Sequence, residues 1–504
     1  MARLAVGLTR YFSGCFLLFF SFFFPRFLRP TSWAALFEGA RKVVALAWPI
    51  LVAQLVSMGM MVCDTLIVGH YSTAHLAAVA LGGGLFVTLM LGMAGVLTAL
   101  IPILGQSCGA GAAREVGAGA RDGFWLAVFL SLLGTALTAL FPKQLLSFGR
   151  LPPEAEEIAV SYLRLLAFSL PASLGYRVFH AVTNAVGFTA PLMYIALLET
   201  TLHMLVAFCL VGGVSFLGIP ALGASGAAVS QILVNWTGCA ASLWLLRAHP
   251  RFAPYRVFGG AEETGARLWK PRLSKLLALL RLGLPMGASY LVEVSSFTLM
   301  AFFIARLGTA EVSGYRIAAN VSAITYMLPL AISTATAALV AQAVGAGKEA
   351  RARDVMFAGQ MTAITVALAM SFTLYFARVS VARLATSDTA VIVAAAAMIV
   401  YIAAYQFFDA IQTVAAFTLR AYKISLLPLV VHLGCFWGLG LGLGYGLAFA
   451  GIPFLAVSPQ GSVGFWQATV IASFAAAIFF GVLLSRVLRR RLHSIVSQSS
   501  LQGV

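Results

Sequence analysis

Long apolar runs, recurring from residues 45–69 to residues 464–486, constrain this chain more than any other feature. Each run is about twenty residues or longer, enough for a helix rising 1.5 Å per residue to cross a hydrocarbon layer of roughly 30 Å. Barrel strands would be about half that length and would alternate polar with apolar positions. Inside lipid every backbone amide needs a partner from the chain itself, and a helix supplies one within its own segment. The composition agrees: 61% of the 504 residues are hydrophobic and only 10% are charged, too few to cover a water-facing surface. The runs predict an all-α, polytopic membrane protein with about 12 transmembrane helices.

The net charge of +17 raises the question of nucleic acid, and its placement answers it. Basic residues gather at Arg247, Arg251, Arg256, Arg267, Lys270, Arg272, Lys275 and Arg281. Further groups stand at Lys348, Arg351 and Arg353, and at Arg486, Arg489, Arg490 and Arg491. They punctuate the spans as cytoplasmic loops do, whereas Glu154, Glu156 and Glu157 fall on the opposite side. Expected from this pattern are an even number of spans, both termini in the cytoplasm, a lipid bilayer as surroundings and no nucleic-acid partner. The six cysteines lie mostly within apolar runs without metal-type spacing and read as packing residues. Residues 1–44, with Arg3 and Arg10 ahead of the apolar Tyr11–Phe24, read as an uncleaved, interfacial or dispensable N-terminal extension.

An internal repeat organises the rest. Leu46-Ala-Trp-Pro49 matches Leu282-Gly-Leu-Pro285, Thr73-Ala74 matches Thr309-Ala310, and Gln106-Ser-Cys-Gly-Ala-Gly111 matches Gln342-Ala-Val-Gly-Ala-Gly347, always 236 residues apart. Pro191 with Pro428, and Gly223-Ala-Ser-Gly226 with Gly461-Ser-Val-Gly464, continue the register with a drift of one or two residues. Two six-helix lobes follow, at 45–247 and 282–486, joined by a cytoplasmic linker at 248–281 and followed by a tail at 487–504. Because six is even, both lobes start on the same side and form parallel repeats. The run Gly438-Leu-Gly-Leu-Gly-Leu-Gly-Tyr-Gly446 is expected to let helices approach closely. Val344-Gly-Ala-Gly-Lys348 is no phosphate loop, because Glu349 stands where Ser or Thr is required.

Four acids fall within the spans: Asp64, Glu199, Glu293 and Asp409. Carboxylates in hydrocarbon are costly unless hydrated, paired or neutralised, so each is a candidate for function. A buried carboxyl can carry a proton, and clustered oxygens can hold Na+. Tyr405, Asp409 and Thr413 are spaced four apart and share a helix face, with no Lys or Arg in the stretch. Asp64 either lines an N-lobe cavity with Asn184 or anchors the end of its span. Glu199 and His203 share a face and either pair with each other or form a secondary polar site. Arg164, Arg177 and Arg316 read as snorkelling or paired residues.

Tyr405-Gln-Phe-Phe-Asp409-Ala-Ile-Gln-Thr-Val-Ala-Ala, Glu293-Val-Ser-Ser-Phe, Asp64-Thr-Leu-Ile-Val-Gly69 and Gly223-Ala-Ser-Gly-Ala-Ala228 resemble signatures of the MATE family of multidrug and toxic compound extrusion transporters, in its NorM-type branch. The likeness covers roughly residues 42–490. It implies the MATE/MOP-like fold and antiport of Na+ or H+ against amphipathic, often cationic, organic molecules by alternating access. Glu293, Asp409 and Tyr405 would form the cation site, with Na+ as one occupant, and Asp64 would be a second acidic position in the N-lobe. The expected setting is the cell inner membrane, the expected unit a monomer, and the expected cofactor none beyond the coupling ion. A lipid-linked oligosaccharide flippase of the same broad fold would want a basic cavity for pyrophosphate. A membrane enzyme or receptor would want a catalytic constellation or an appended domain, which the 248–281 segment does not hold.

Overall fold

The computed structural model describes residues 31–147, 152–214, 218, 220–259, 269–451 and 458–502. The Tyr11–Phe24 stretch, Cys15 and Arg267 lie outside them. Among the described residues twelve helices are long and apolar enough to cross a membrane. In chain order they are α1 (Trp33–Tyr71), α2 (Thr73–Gly109), α3 (Ala113–Leu140), α4 (Pro153–Val186), α5 (Ala190–Gly212), α6 (Ala224–Ala248), α7 (Leu273–Leu307), α8 (Thr309–Gly345), α9 (Glu349–Ala385), α10 (Thr389–Ala421), α11 (Leu426–Ala450) and α12 (Ser462–Arg491). Large apolar side chains such as Phe208, Phe302 and Phe372 point outward, each about two-thirds exposed, as lipid-facing residues do and water-facing ones do not.

Two compact units divide the chain. The first holds Ala45–Val294 and Lys423–Leu429; the second holds the described residues up to Val44, Ser295–Tyr422 and the described residues from Val430 onward. Helices α1, α7 and α11 therefore each continue from one unit into the other. The helices also begin earlier than the apolar runs suggest. Trp33–Val44, placed by sequence in an extension, is already the opening of α1, and Leu273–Arg281, placed in a linker, opens α7. Both stretches are rich in Ala, Leu, Lys and Arg, which carry a helix on as readily in water as in lipid. At the other end helix continues beyond Arg491 to Gln502.

Both openings are tied down by an aspartate. In the first unit Arg272, just ahead of α7, grips Asp122 of α3 through Nε, at 3.2 and 3.1 Å from the two carboxylate oxygens, and through Nη2 at 2.5 Å. Hydrogen bonding to that carboxylate holds the Arg272 guanidinium even more firmly charged than usual. In the second unit Asp354 of α9 accepts from the Thr31 amide (2.9 Å) and the Thr31 hydroxyl (2.7 Å), just ahead of α1.

The repeat is visible in the backbone. At the α2–α3 corner the Ala110 amide donates to the Gln106 carbonyl at 2.9 Å, and that of Gly111 to the Cys108 carbonyl at 3.1 Å. At the α8–α9 corner Ala346 reaches Gln342 at 2.9 Å and Gly347 reaches Val344 at 3.1 Å. The closing glycines sit at φ 72° and 69°, a left-handed conformation that a side chain would strain.

Close helix approach occurs elsewhere than the glycine run suggested. A Cβ on Gly95 of α2 would stand 2.7 Å from the Gly287 Cα of α7, so no larger residue fits that seam. Within Gly438–Gly446, only Gly444 is pressed tightly, with a Cβ there meeting the Phe465 ring at 2.8 Å. Gly434, Gly438 and Gly446 face open space. The run is wound as π-helix over Leu433–Leu443 and Gly446–Ala450. Missing side chains here permit a wider winding rather than a tight contact.

Candidate cation site

Asp409 sits in the middle of α10, a helix started by the Asp388 carboxylate, which caps the Ala390 amide at 2.8 Å. From Ala394 onward most of α10 is buried, packed against α8, α9 and α12. Asp409 itself is 0% exposed, and Tyr405, Gln412 and Thr413 are each 2% exposed. Helical spacing delivers the expected neighbour: the Tyr405 hydroxyl donates to Asp409 Oδ1 at 3.0 Å. The Gln412 amide nitrogen donates to the same oxygen at 3.0 Å and to Thr413 Oγ1 at 3.1 Å. Thr413 thus reaches the carboxylate through Gln412.

One turn of sequence does not complete the arrangement. His432, at the α-helical start of α11, donates from Nε2 to Gln412 Oε1 at 3.1 Å. Aromatic rings wall the site: Tyr405 meets Phe297 edge-on at 6.2 Å and Trp466 edge-on at 6.2 Å. Asp409 Oδ2 is buried and has no hydrogen-bond partner among the described residues. One carboxylate oxygen is therefore doubly crowned by neutral donors while the other is bare. A full negative charge held in that state is expensive, and a small cation or a proton relieves it.

The first unit treats its acids differently. Asp64 of α1 accepts from His203 Nε2 at 2.8 Å, and the other ring nitrogen of His203 meets Ser230 Oγ of α6 at 3.0 Å. Sequence spacing offered Glu199 as the partner of His203, but the imidazole is spent across the bundle on Asp64 and Ser230. Glu199 is buried with its carboxyl against Gly238, where even a methyl group would collide with it. Asn184 does not join Asp64 either; its amide nitrogen donates to the His180 carbonyl at 2.7 Å. Glu293 lies half-buried on α7, within the first unit, whereas Asp409 belongs to the second.

Gln412 and His432 were missed by sequence reasoning. Gln412 follows Asp409 by three residues and so shares its face, a signal that was present. His432 comes from another helix, and no local pattern connects it to Asp409.

A multi-pass helical protein with a duplicated sequence and carboxylates buried among its spans has the form of a membrane transporter. Comparison with known proteins makes this specific. The MatE family model matches residues 49–209 and 285–446, two stretches that start at the spacing of the internal repeat. A protein of Aromatoleum aromaticum named "Probable multidrug resistance protein NorM" is 44% identical over 88% of this chain and 93% of its own length. One of the same name from Chromobacterium violaceum is 32% identical over 92% of this chain and 98% of its own. Among solved structures, an outward-facing multidrug resistance MATE family transporter of the MOP superfamily shares the fold at a TM-score of 0.80. It is 17% identical and covers 92% of this chain and 100% of that one. The chain belongs to the MatE family of membrane transporters, in its NorM-type branch.

Proposed function

We propose that the protein is a secondary active exporter that couples inflow of a monovalent cation, H+ or Na+, to release of amphipathic, often cationic, organic compounds by alternating access. The observation that carries this reading is the bare, buried Oδ2 of Asp409. An electrically uncompensated carboxylate is a group whose environment changes when a cation arrives, and coupling requires such differential binding between states. Glu293 supplies a second intramembrane carboxylate, on α7. The relatives are named for multidrug resistance, which supports a cargo of varied organic compounds. The proposed setting is the inner membrane with both termini cytoplasmic, in keeping with the basic loops, and the proposed unit is a monomer.

The test is efflux of a cationic dye from proteoliposomes under imposed H+ or Na+ gradients. Asp409→Asn and Glu293→Gln are each expected to uncouple efflux from the gradient, with a loss on the order of tenfold. Gradient-driven efflux at the wild-type rate in both variants would overturn the reading.

A further inference from the structure

We propose that His432 sets the cation selectivity of the Asp409 site by fixing which end of the Gln412 amide faces the carboxylate. The inference rests on the cation-coupled reading above and adds a residue and a discrimination to it. Every group of Gln412 is engaged. Its NH2 gives one hydrogen to Asp409 Oδ1 and one to Thr413 Oγ1, and its oxygen takes the N–H of His432. An amide turned by half a rotation would set its oxygen against the carboxylate and its NH2 against the His432 N–H. His432 could welcome that NH2 only by moving its own proton to Nδ1. Nδ1 has no partner among the described residues, so the move would strand a buried donor. The ring itself is held between Phe436, at 5.7 Å, and Phe480, at 5.1 Å.

The consequence is chemical. Na+ is bound by several converging oxygens, and a hydrogen-bond donor pointed into its site repels it. With Gln412 locked, Oδ1 is covered by two donors, Tyr405 and Gln412, and Oδ2 alone is open. Were the amide turned, Gln412 Oε1 would join Asp409 Oδ1, Thr413 Oγ1 and the Tyr405 hydroxyl as an oxygen set suited to Na+. The lock therefore disfavours Na+ at this carboxylate, and removing the His432 donor admits it.

The experiment uses the full chain in proteoliposomes loaded with ethidium, with H+ and Na+ gradients imposed separately. Wild type is expected to respond to the H+ gradient and not to the Na+ gradient. His432→Leu, which removes the donor, is expected to gain stimulation by Na+ on the order of fivefold. Should the leucine variant fail to fold, a Na+ titration of wild-type tryptophan fluorescence decides, because Trp466 lies against Tyr405: no response supports the lock, and a saturable one lost in Trp466→Phe overturns it. Wild-type efflux driven by Na+, or a leucine variant with wild-type selectivity, would likewise overturn the role of His432 while leaving cation coupling intact. Efflux from wild type under neither gradient would bring down the coupled reading itself, and this inference with it.

Discussion

Ser173 of α4 and Asp409 of α10 occupy the same register of the repeat, and they face opposite fates. The Ser173 hydroxyl donates to the Ser169 carbonyl at 2.9 Å and accepts from the Asn235 amide at 2.9 Å, leaving nothing unmet. Asp409 meets two donors on one oxygen and none among the described residues on the other. Where the first unit does bury a carboxylate beside an ionisable partner, at Asp64, an imidazole meets it. Duplicated backbone thus carries different electrostatics at these positions: the first half satisfies Ser173 and meets Asp64 with an imidazole, and the second leaves one oxygen of Asp409 open.

Making the halves alike should have the largest effect. Asp409→Ser copies the first half onto the second, and the protein should still fold. On the proposed reading, gradient-driven dye efflux should then fall on the order of tenfold or more, since the charge that would carry the coupling free energy is gone. A variant that kept coupled efflux would erase the distinction between the halves. Next, His203→Leu strips Asp64 of its compensating ring and leaves a buried carboxylate unpaired. A loss of about 3 kcal/mol in stability is expected, read as a lower melting temperature in detergent. An unchanged melting temperature would mean that Asp64 is no better compensated than Asp409.

The smallest effect concerns the backbone. Gly187 closes α4 at φ 77°, and its repeat counterpart Lys423 closes α10 at φ 61°. A side chain in that conformation costs roughly 1 kcal/mol. The amine of Lys423 is also held below its usual pKa by burial and by nearby Lys275. Lys423→Gly should therefore raise thermal stability by about 1 kcal/mol, and Gly187→Lys should lower it by at least as much. Equal and opposite shifts would sharpen the correspondence of the two corners; a destabilised Lys423→Gly would break it.

Much of this was legible in the residues themselves. Runs of apolar residues set the spans because lipid leaves the backbone only one economical partner, and the matched Gln106 and Gln342 corners set the duplication. The Tyr405–Asp409 bond followed from helical spacing alone. What escaped depended on other helices. His432 reaches Gln412 from α11, and His203 turns to Asp64 and Ser230 instead of to Glu199 on its own face. Hydropathy could not see Trp33–Val44 as helix, because charges such as Arg41 and Lys42 end an apolar run without ending a helix. Nor could composition tell that glycines in α11 would widen the winding, since openness of the surroundings is a property of the fold.

The twin corners at Gly111 and Gly347 also bear on ancestry. A hinge of identical build, kept in both copies while the ionisable residues went separate ways, implies a half-length ancestor that already turned this way before its gene was doubled. Geometry was inherited, and chemistry was redistributed afterwards.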